Sequence, residues 1–323
     1  MYWNNKTILL TGGTGSFGQK FIEVMLNKYK PRVIRIFSRD ELKQWEMAKK
    51  FNNNARLRFF IGDIRDKNRL ERAMDGSDIV VHAAALKQVP SCEYNPFEAV
   101  KTNILGAQNI IEAAIDHNID KVMAISTDKA VNPVNLYGAT KMCMEKLFVA
   151  ANAYVGEKRR TRMACARYGN VIGSRGSVIP LFKKQSLTGT ITMTDKRMTR
   201  FWLSLEQGVE FVIKSIEMMH GGEVFIPKIP SMKIADLAKA IAPKCKIKFI
   251  GIRAGEKIHE CLLTEDESRH ALEFNDFFVI KPEHPWWEKE SWKKGKSLLE
   301  GSRYSSDNND KWLTIKELKS MVE

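Results

Sequence analysis

The sequence predicts an α/β protein: a doubly wound parallel sheet with a smaller, interwoven C-terminal domain. Three observations predict it. Short apolar runs alternate with helix-period patterns through the first half of the chain. A glycine-rich turn follows the first run, and the alternation loosens after about Arg167. With 323 residues, 44% of them hydrophobic, the chain can bury the core of one large domain or two closely joined ones.

The elements follow in order. Thr7 to Leu10 reads as a strand that runs into glycines, and a helix follows from about Phe17 to Lys28. Val33 to Phe37 is the second strand, with a helix through about Lys50, and Leu57 to Ile61 is the third. Asp78 to Ala84 is a strand and Val100 to His117 a helix; Val122 to Ser126 and Thr140 to Ala153 repeat the pair. Beyond Arg167, Gly173 to Gly176 is a loop, Glu206 to Met219 regains a one-sided apolar pattern, and Lys233 to Ile241 reads as a helix. From Asn275 onward aromatic and charged residues mix with little period. No repeat and no long linker is visible. Residues 1–170 therefore form the first domain, with 206–227 returning to it, and 171–323 mainly form the second.

Composition excludes several classes. The N-terminal apolar run is a first strand and not a signal peptide, and no stretch approaches 18 apolar residues, so no membrane span is expected. The five cysteines (Cys92, Cys143, Cys165, Cys245, Cys261) contain no C-x-x-C pair; they read as reduced thiols of a cytoplasmic protein, without a disulfide framework or metal site. The net charge of +14 fits a solvated basic surface or phosphate-bearing ligands. Only short basic runs such as Lys158-Arg159-Arg160 occur, so no nucleic-acid partner is expected. His82 reads as a packed strand residue, and His259 has no second histidine at ligand spacing. Trp286-Trp287 reads as a surface or oligomer contact, with a sugar platform as the alternative.

TGGTGSFG, with Gly12, Gly13, Gly15 and Gly18, stands between a strand and a helix. Glycines allow the tight turn and let backbone N–H groups approach a pyrophosphate, while the helix aims its positive end at it. This is the mark of a Rossmann-like dinucleotide site; a tight structural turn is the plain alternative. The second strand ends Phe37-Ser38-Arg39-Asp40, with Lys43 nearby. Arg39 stands where an acidic residue would favour NAD, so its guanidinium favours the 2′-phosphate of NADP over a mere surface charge. In GDIRD, Asp63 accepts from an adenine amino group with Ile64 against the ring, or else serves, like Asp66, as a helix N-cap.

Tyr137 and Lys141 are four residues apart, so both lie on one helix face. An ammonium near a phenol favours phenolate, and a tyrosine tuned this way removes a hydroxyl proton while hydride leaves the same carbon. Thr127, at a strand end, can bond the same hydroxyl. Asp128-Lys129 is either an acid and base pair or a surface ion pair.

TGGTGSFG, GDIRD, HAAALKQVP, STDKA and YGATK, in that order, make the chain resemble extended short-chain dehydrogenase/reductases that modify nucleotide sugars. Within them it closely resembles the soluble inverting UDP-N-acetylglucosamine 4,6-dehydratases that start pseudaminic acid synthesis. The similarity continues through RYGNVIGSRGSV, MTRFW, IPKIPSMK and GIRAGEKIHE. Asp128-Lys129 is the diagnostic pair, because retaining hexose dehydratases of this fold carry Asp-Glu there.

The resemblance implies oxidation at C4 with Tyr137 as base and recycled NADP as hydride carrier. It implies that Lys129 removes the C5 proton, which the C4 ketone acidifies, and that Asp128 protonates the departing C6 hydroxyl. A lysine base must be neutral, which desolvation and neighbouring cations such as Lys141 would favour. Cofactor contacts are implied at Gly12, Thr14, Gly15, Ser16, Phe17, Gly18, Ser38, Arg39, Asp40, Lys43, Asp63, Ile64, Ala83, Thr102, Tyr137, Lys141 and Val171. UDP-sugar contacts are implied at Lys87, Asn170, Arg200, Arg253 and Glu256, with Arg175 helping from its loop; guanidinium forks suit a pyrophosphate. A homo-oligomer, dimer or larger, is also implied. Two rival readings remain: a 4-epimerase or reductase of the same fold, and a non-catalytic dinucleotide sensor. A 4-epimerase needs no lysine at C5, and a sensor needs no Tyr/Lys pair.

Overall fold

Six apolar runs form the strands β1 (Thr7–Thr11), β2 (Val33–Ser38), β3 (Leu57–Ile61), β4 (Ile79–His82), β5 (Lys121–Thr127) and β6 (Arg162–Tyr168). The computed structural model describes residues 2–156, 160–173, 178–283 and 292–322. The six strands pair in parallel in the order 3-2-1-4-5-6. β1 and β4 are buried along their whole length, which is why they read as apolar runs and not as an alternation. Between the strands run α1 (Ser16–Lys28), α2 (Glu41–Lys50), α3 (Lys67–Met74), α4 (Val89–Tyr94), α5 (Pro96–Val100), α6 (Gly106–Asp116) and α7 (Leu136–Ala151).

The second half of the chain extends this sheet. Val224–Pro227 lies parallel to β6, and Phe277–Ile280 pairs antiparallel beside it. Ala271–Glu273 and Lys296–Ser297 complete ten strands. The helix Leu205–Met218, started by a Ser204/Gln207 capping box, packs on α1. Phe277–Ile280 lies in the stretch that showed little period. Its FFVI is a single four-residue apolar run, too short for periodicity to register.

A separate apolar cluster gathers Phe182, Ile191, Trp202, Met232, Leu237 and Leu318. There Ile234–Ile241 packs against the last helix, Ile315–Val322. Among the described residues no helix is long and apolar enough to cross a membrane.

Two helix boundaries differ from the sequence expectation. The helix read over Val100 to His117 is broken: α5 and α6 are separated by a π turn, Lys101–Leu105. Asn103 in that turn holds the loop after β4. Its Oδ1 accepts from Leu86 N and its Nδ2 donates to Leu86 O, each at 2.9 Å. The helix read from Thr140 starts earlier, at Leu136, because the Asn135 side chain accepts from Gly138 N at 2.8 Å and caps it.

Candidate active site

A cavity of about 600 Å³ opens at the carboxyl ends of β1, β2, β4 and β5, where the strand order reverses. Gly12, Thr14, Gly15, Ser16 and Phe17 line one wall. Gly12 has φ +67°, and a Cβ there would stand 2.7 Å from Ala84 N, so the turn admits only glycine comfortably. Gly18 does not line the cavity; a Cβ on it would meet Gly13 O at 2.2 Å, so it seats α1 on the loop. The N-terminus of α1 at Gly15 has no side-chain cap and no acidic residue in its first turn, which leaves it open to an anion.

Ser38, Arg39, Asp40, Lys43, Asp63 and Ile64 line the far end. Asp40 caps α2 by accepting from Lys43 N at 3.0 Å, and it also pairs with Lys43 Nζ. Arg39 stays largely exposed, 3.5 Å from Asp63. Asp66, not Asp63, caps α3. Burial would push the Asp63 carboxyl up, but Arg65, 2.7 Å away, and Arg39 hold it below its usual value. Ala83, Lys87 and Thr102 also line the cavity; Thr102, in the π turn, keeps a buried hydroxyl without a partner among the described residues.

The other end gathers Thr127, Asp128, Lys129, Tyr137, Lys141, Asn170 and Val171. The end of β5 supplies Thr127, the 3-10 turn Asp128–Ala130 that follows it supplies Asp128 and Lys129, and α7 brings Tyr137 and Lys141 to the same wall. Thr127 donates to Asp128 Oδ1 at 2.9 Å, and Lys129 Nζ reaches the same oxygen at 3.0 Å. Asp128 is 1% exposed, and its Oδ2 has no partner among the described residues. Burial, with Glu260 nearby, raises the Asp128 carboxyl above its ordinary value although Lys129 opposes this. Lys87 is held down by burial and by Lys129.

Two electrostatic expectations are corrected. Tyr137 is pushed up to about 12 by burial; the cation that pulls it down is Lys129, with Thr127 as its hydrogen-bonding neighbour. Lys141 does not serve there: its Nζ donates to Ile125 O at 2.6 Å and Met144 Sδ at 3.0 Å. Nor is Lys129 held neutral. Burial favours its neutral form, but Asp128 and Glu260 outweigh that and raise it above the usual lysine value.

Arg200, Arg253, Glu256 and His82 lie apart from the cavity lining. The Arg200 guanidinium is engaged by the carbonyls of Thr199, Lys257 and Ile258 at 2.6–3.0 Å. Arg253 is largely exposed and Glu256 lies beside it, 3.9 Å away. Arg175 and Trp286-Trp287 fall outside the described residues. His82 is buried, bonded to Thr11 at 2.8 Å and stacked on Phe148; burial drives it down to about 3 and keeps it neutral.

Trp202, Ser126 and Glu260 were not singled out from the sequence. Trp202 and Ser126 line the cavity with a buried indole nitrogen and hydroxyl that have no partner among the described residues. Glu260 stands behind Lys129, 3.2 Å away. Their signal was present in MTRFW, STDKA and GIRAGEKIHE, but no local period marks which side chain turns inward.

Sheet order, glycine turn and Tyr/Lys helix define a Rossmann-like α/β protein with a cavity at its switch point. A family model described as "Polysaccharide biosynthesis protein" matches residues 8–282, and the chain belongs to that family. It is 54% identical over 329 residues to an inverting UDP-N-acetylglucosamine 4,6-dehydratase of Campylobacter jejuni subsp. jejuni, covering 99% of this chain and 98% of that protein. It is 42% identical over 333 residues to a UDP-glucose 4-epimerase of Rickettsia conorii, covering 98% and 95%. The X-ray structure of Pen from Bacillus thuringiensis superposes with a TM-score of 0.90 at 40% identity, covering 100% of this chain and 99% of that one.

Proposed function

We propose that the protein catalyses inverting 4,6-dehydration of UDP-N-acetylglucosamine. The product is UDP-2-acetamido-2,6-dideoxy-β-L-arabino-hex-4-ulose, and NADP is the tightly bound cofactor. The observation that carries this reading is the Asp128–Lys129 pair, set beside Tyr137 in the cavity that holds the glycine turn. The 54% identity to a dehydratase of that name supports the same substrate.

The cavity residues fit a dinucleotide. The positive-φ turn at Gly12, the uncapped N-terminus of α1 and the unpartnered Thr102 hydroxyl suit a pyrophosphate and ribose. The Asp40 carboxylate is committed to capping α2 and to Lys43, whereas Arg39 remains exposed; this supports a 2′-phosphate and hence NADP over NAD. A bound NADP would supply the hydride acceptor for C4 of the sugar and the hydride donor for C6.

Tyr137 takes the C4 hydroxyl proton, with Thr127 orienting that hydroxyl and the positive charge of Lys129 stabilising phenolate. Once C4 is a ketone, the fraction of Lys129 that has lost its ammonium proton to solvent takes the C5 proton. Asp128, biased by burial toward its protonated form, donates to the leaving C6 hydroxyl through the unpartnered Oδ2. Asn170, Trp202 and Lys87 line the sugar end and suit hydroxyl and phosphate oxygens. We assign Arg200, Arg253, Glu256 and Arg175 to UDP binding, which for Arg200 requires release of its carbonyl partners. Five free cysteines support a cytoplasmic enzyme, and the product suits the first step of pseudaminic acid-type synthesis for flagellin glycosylation.

A second reading, 4-epimerisation, is favoured by the 42% identity to a UDP-glucose 4-epimerase. Proton NMR of the purified protein with UDP-N-acetylglucosamine in D2O, without added reductant, separates the two. The expected product is a 6-deoxy-4-keto sugar of L-arabino configuration with deuterium at C5. A D-xylo keto sugar refutes inversion. A C4 epimer that keeps its C6 hydroxyl establishes the second reading.

A further inference from the structure

Glu260 is a buried carboxylate that the proposed chemistry does not use. It immediately precedes the strand Cys261–Leu263, far from Lys129 in sequence, and is 2% exposed. Its backbone is fixed on both sides: Glu260 N donates to Ser306 Oγ at 2.9 Å, and Ser306 N donates to Glu260 O at 2.8 Å. Its Oε1 lies 3.2 Å from Lys129 Nζ and 3.8 Å from Arg200 Nε. Its Oε2 lies 3.8 Å from Lys257 Nζ and has no hydrogen-bond partner among the described residues. Asp128 Oδ1 approaches the same Lys129 Nζ at 3.0 Å.

We propose that Glu260 is a positioning residue for the lysine-dependent proton transfer: with Asp128 it grips Lys129 Nζ between two carboxylates and aims it at the sugar. The proposal rests on the reading of Lys129 as the C5 base. The groups that face Lys129 are Asp128, Glu260, Arg200, Lys87, Lys257 and Tyr137. Arg200, Lys87 and Lys257 are cations that oppose its charge, so the two anions must outweigh them and the desolvation together. Glu260 therefore acts on both geometry and charge. It holds the resting lysine as ammonium, and it stabilises the ammonium that re-forms when the neutral fraction of Lys129 takes the C5 proton. No other bond is made or broken through Glu260.

The test uses the 6-deoxy-4-keto product, made by the wild-type holoenzyme, as a probe. Exchange of its C5 proton in D2O needs the base but neither hydride transfer nor water elimination. The rate rises with pH as Lys129 becomes neutral, and its midpoint reports the lysine. In Glu260→Gln the anion 3.2 Å away is lost, and the midpoint falls by about one to three pH units. A purely structural role would lower the rate and leave the midpoint in place; a midpoint within about 0.3 units of wild type overturns the proposal. Glu260→Asp keeps the charge but draws it back, so its midpoint falls by a smaller amount. If the glutamine variant does not fold, an unmoved midpoint in Glu260→Asp overturns the proposal. A second readout needs no sugar: the carbon-13 Cε titration of Lys129 in the holoenzyme, assigned by its loss in Lys129→Arg, falls in parallel. If the wild type makes no keto sugar, the proposed function fails, while this titration still judges Glu260.

Discussion

Replacing Lys141 by methionine should make the protein more stable. The side chain is 4% exposed, and burial lowers it from 10.5 to about 8. A lysine whose folded value is depressed binds its proton less readily folded than unfolded. Its penalty is therefore complete below pH 8 and disappears as pH rises toward 10.5. A fall of about 2.5 at 1.36 kcal/mol each makes that penalty about 3 kcal/mol at pH 7. Methionine fills a similar volume without charge, but it loses the bond to Ile125 O, worth about 1 kcal/mol, and leaves that carbonyl to find another donor. The net expectation is a gain of about 1 to 2 kcal/mol at pH 7, or roughly 2–3 °C in Tm. Thermal melting of both proteins, stripped of nucleotide, measures it at pH 7 and pH 10. At pH 10 less than about 1 kcal/mol of the penalty remains, so the gain is gone and the variant is the slightly less stable protein. Equal stability changes at the two pH values would refute the burial argument.

Three further outcomes are expected. Gly12→Ala places a Cβ 2.7 Å from Ala84 N at φ +67°; strain of about 1–2 kcal/mol in the bound shape of the loop lowers nucleotide affinity about 5- to 30-fold. Nucleotide released on denaturation of the purified variant measures it, and a full complement would contradict the cradle. Asp128→Asn retains C5 exchange into the keto product but loses elimination by about 100-fold or more, read by NMR; loss of both together would make the residue structural. Arg39→Ser removes the exposed guanidinium at the end of β2 and moves cofactor preference from NADP toward NAD by about tenfold or more, read by competition binding. An unchanged preference would leave Arg39 a surface charge.

Much of the site lies close together in the chain, which is why it could be read. Thr127, Asp128, Lys129, Tyr137 and Lys141 fall within fifteen residues, so one strand end and one helix turn bring them together. The glycine turn was legible for a similar reason: φ +67° at Gly12 and the close approach of Gly18 to Gly13 are local demands that only one residue type meets. The π turn at Lys101–Leu105 was not legible. Its residues keep helical propensity, and it is held by Asn103 bonds to Leu86, a contact across sixteen intervening residues.

The sequence alone determined the α/β class, the dinucleotide-type turn and the chemistry-bearing segment, because apolar periodicity, steric demand and short spacing are local properties. Only the tertiary structure decided the charge environment. Tyr137 faces Lys129 while Lys141 turns to Ile125, and Glu260 arrives from the second half of the chain to oppose the burial of Lys129. Protonation depends on the sum of desolvation and nearby charges in space. Sequence distance carries no information about that sum until the chain has folded.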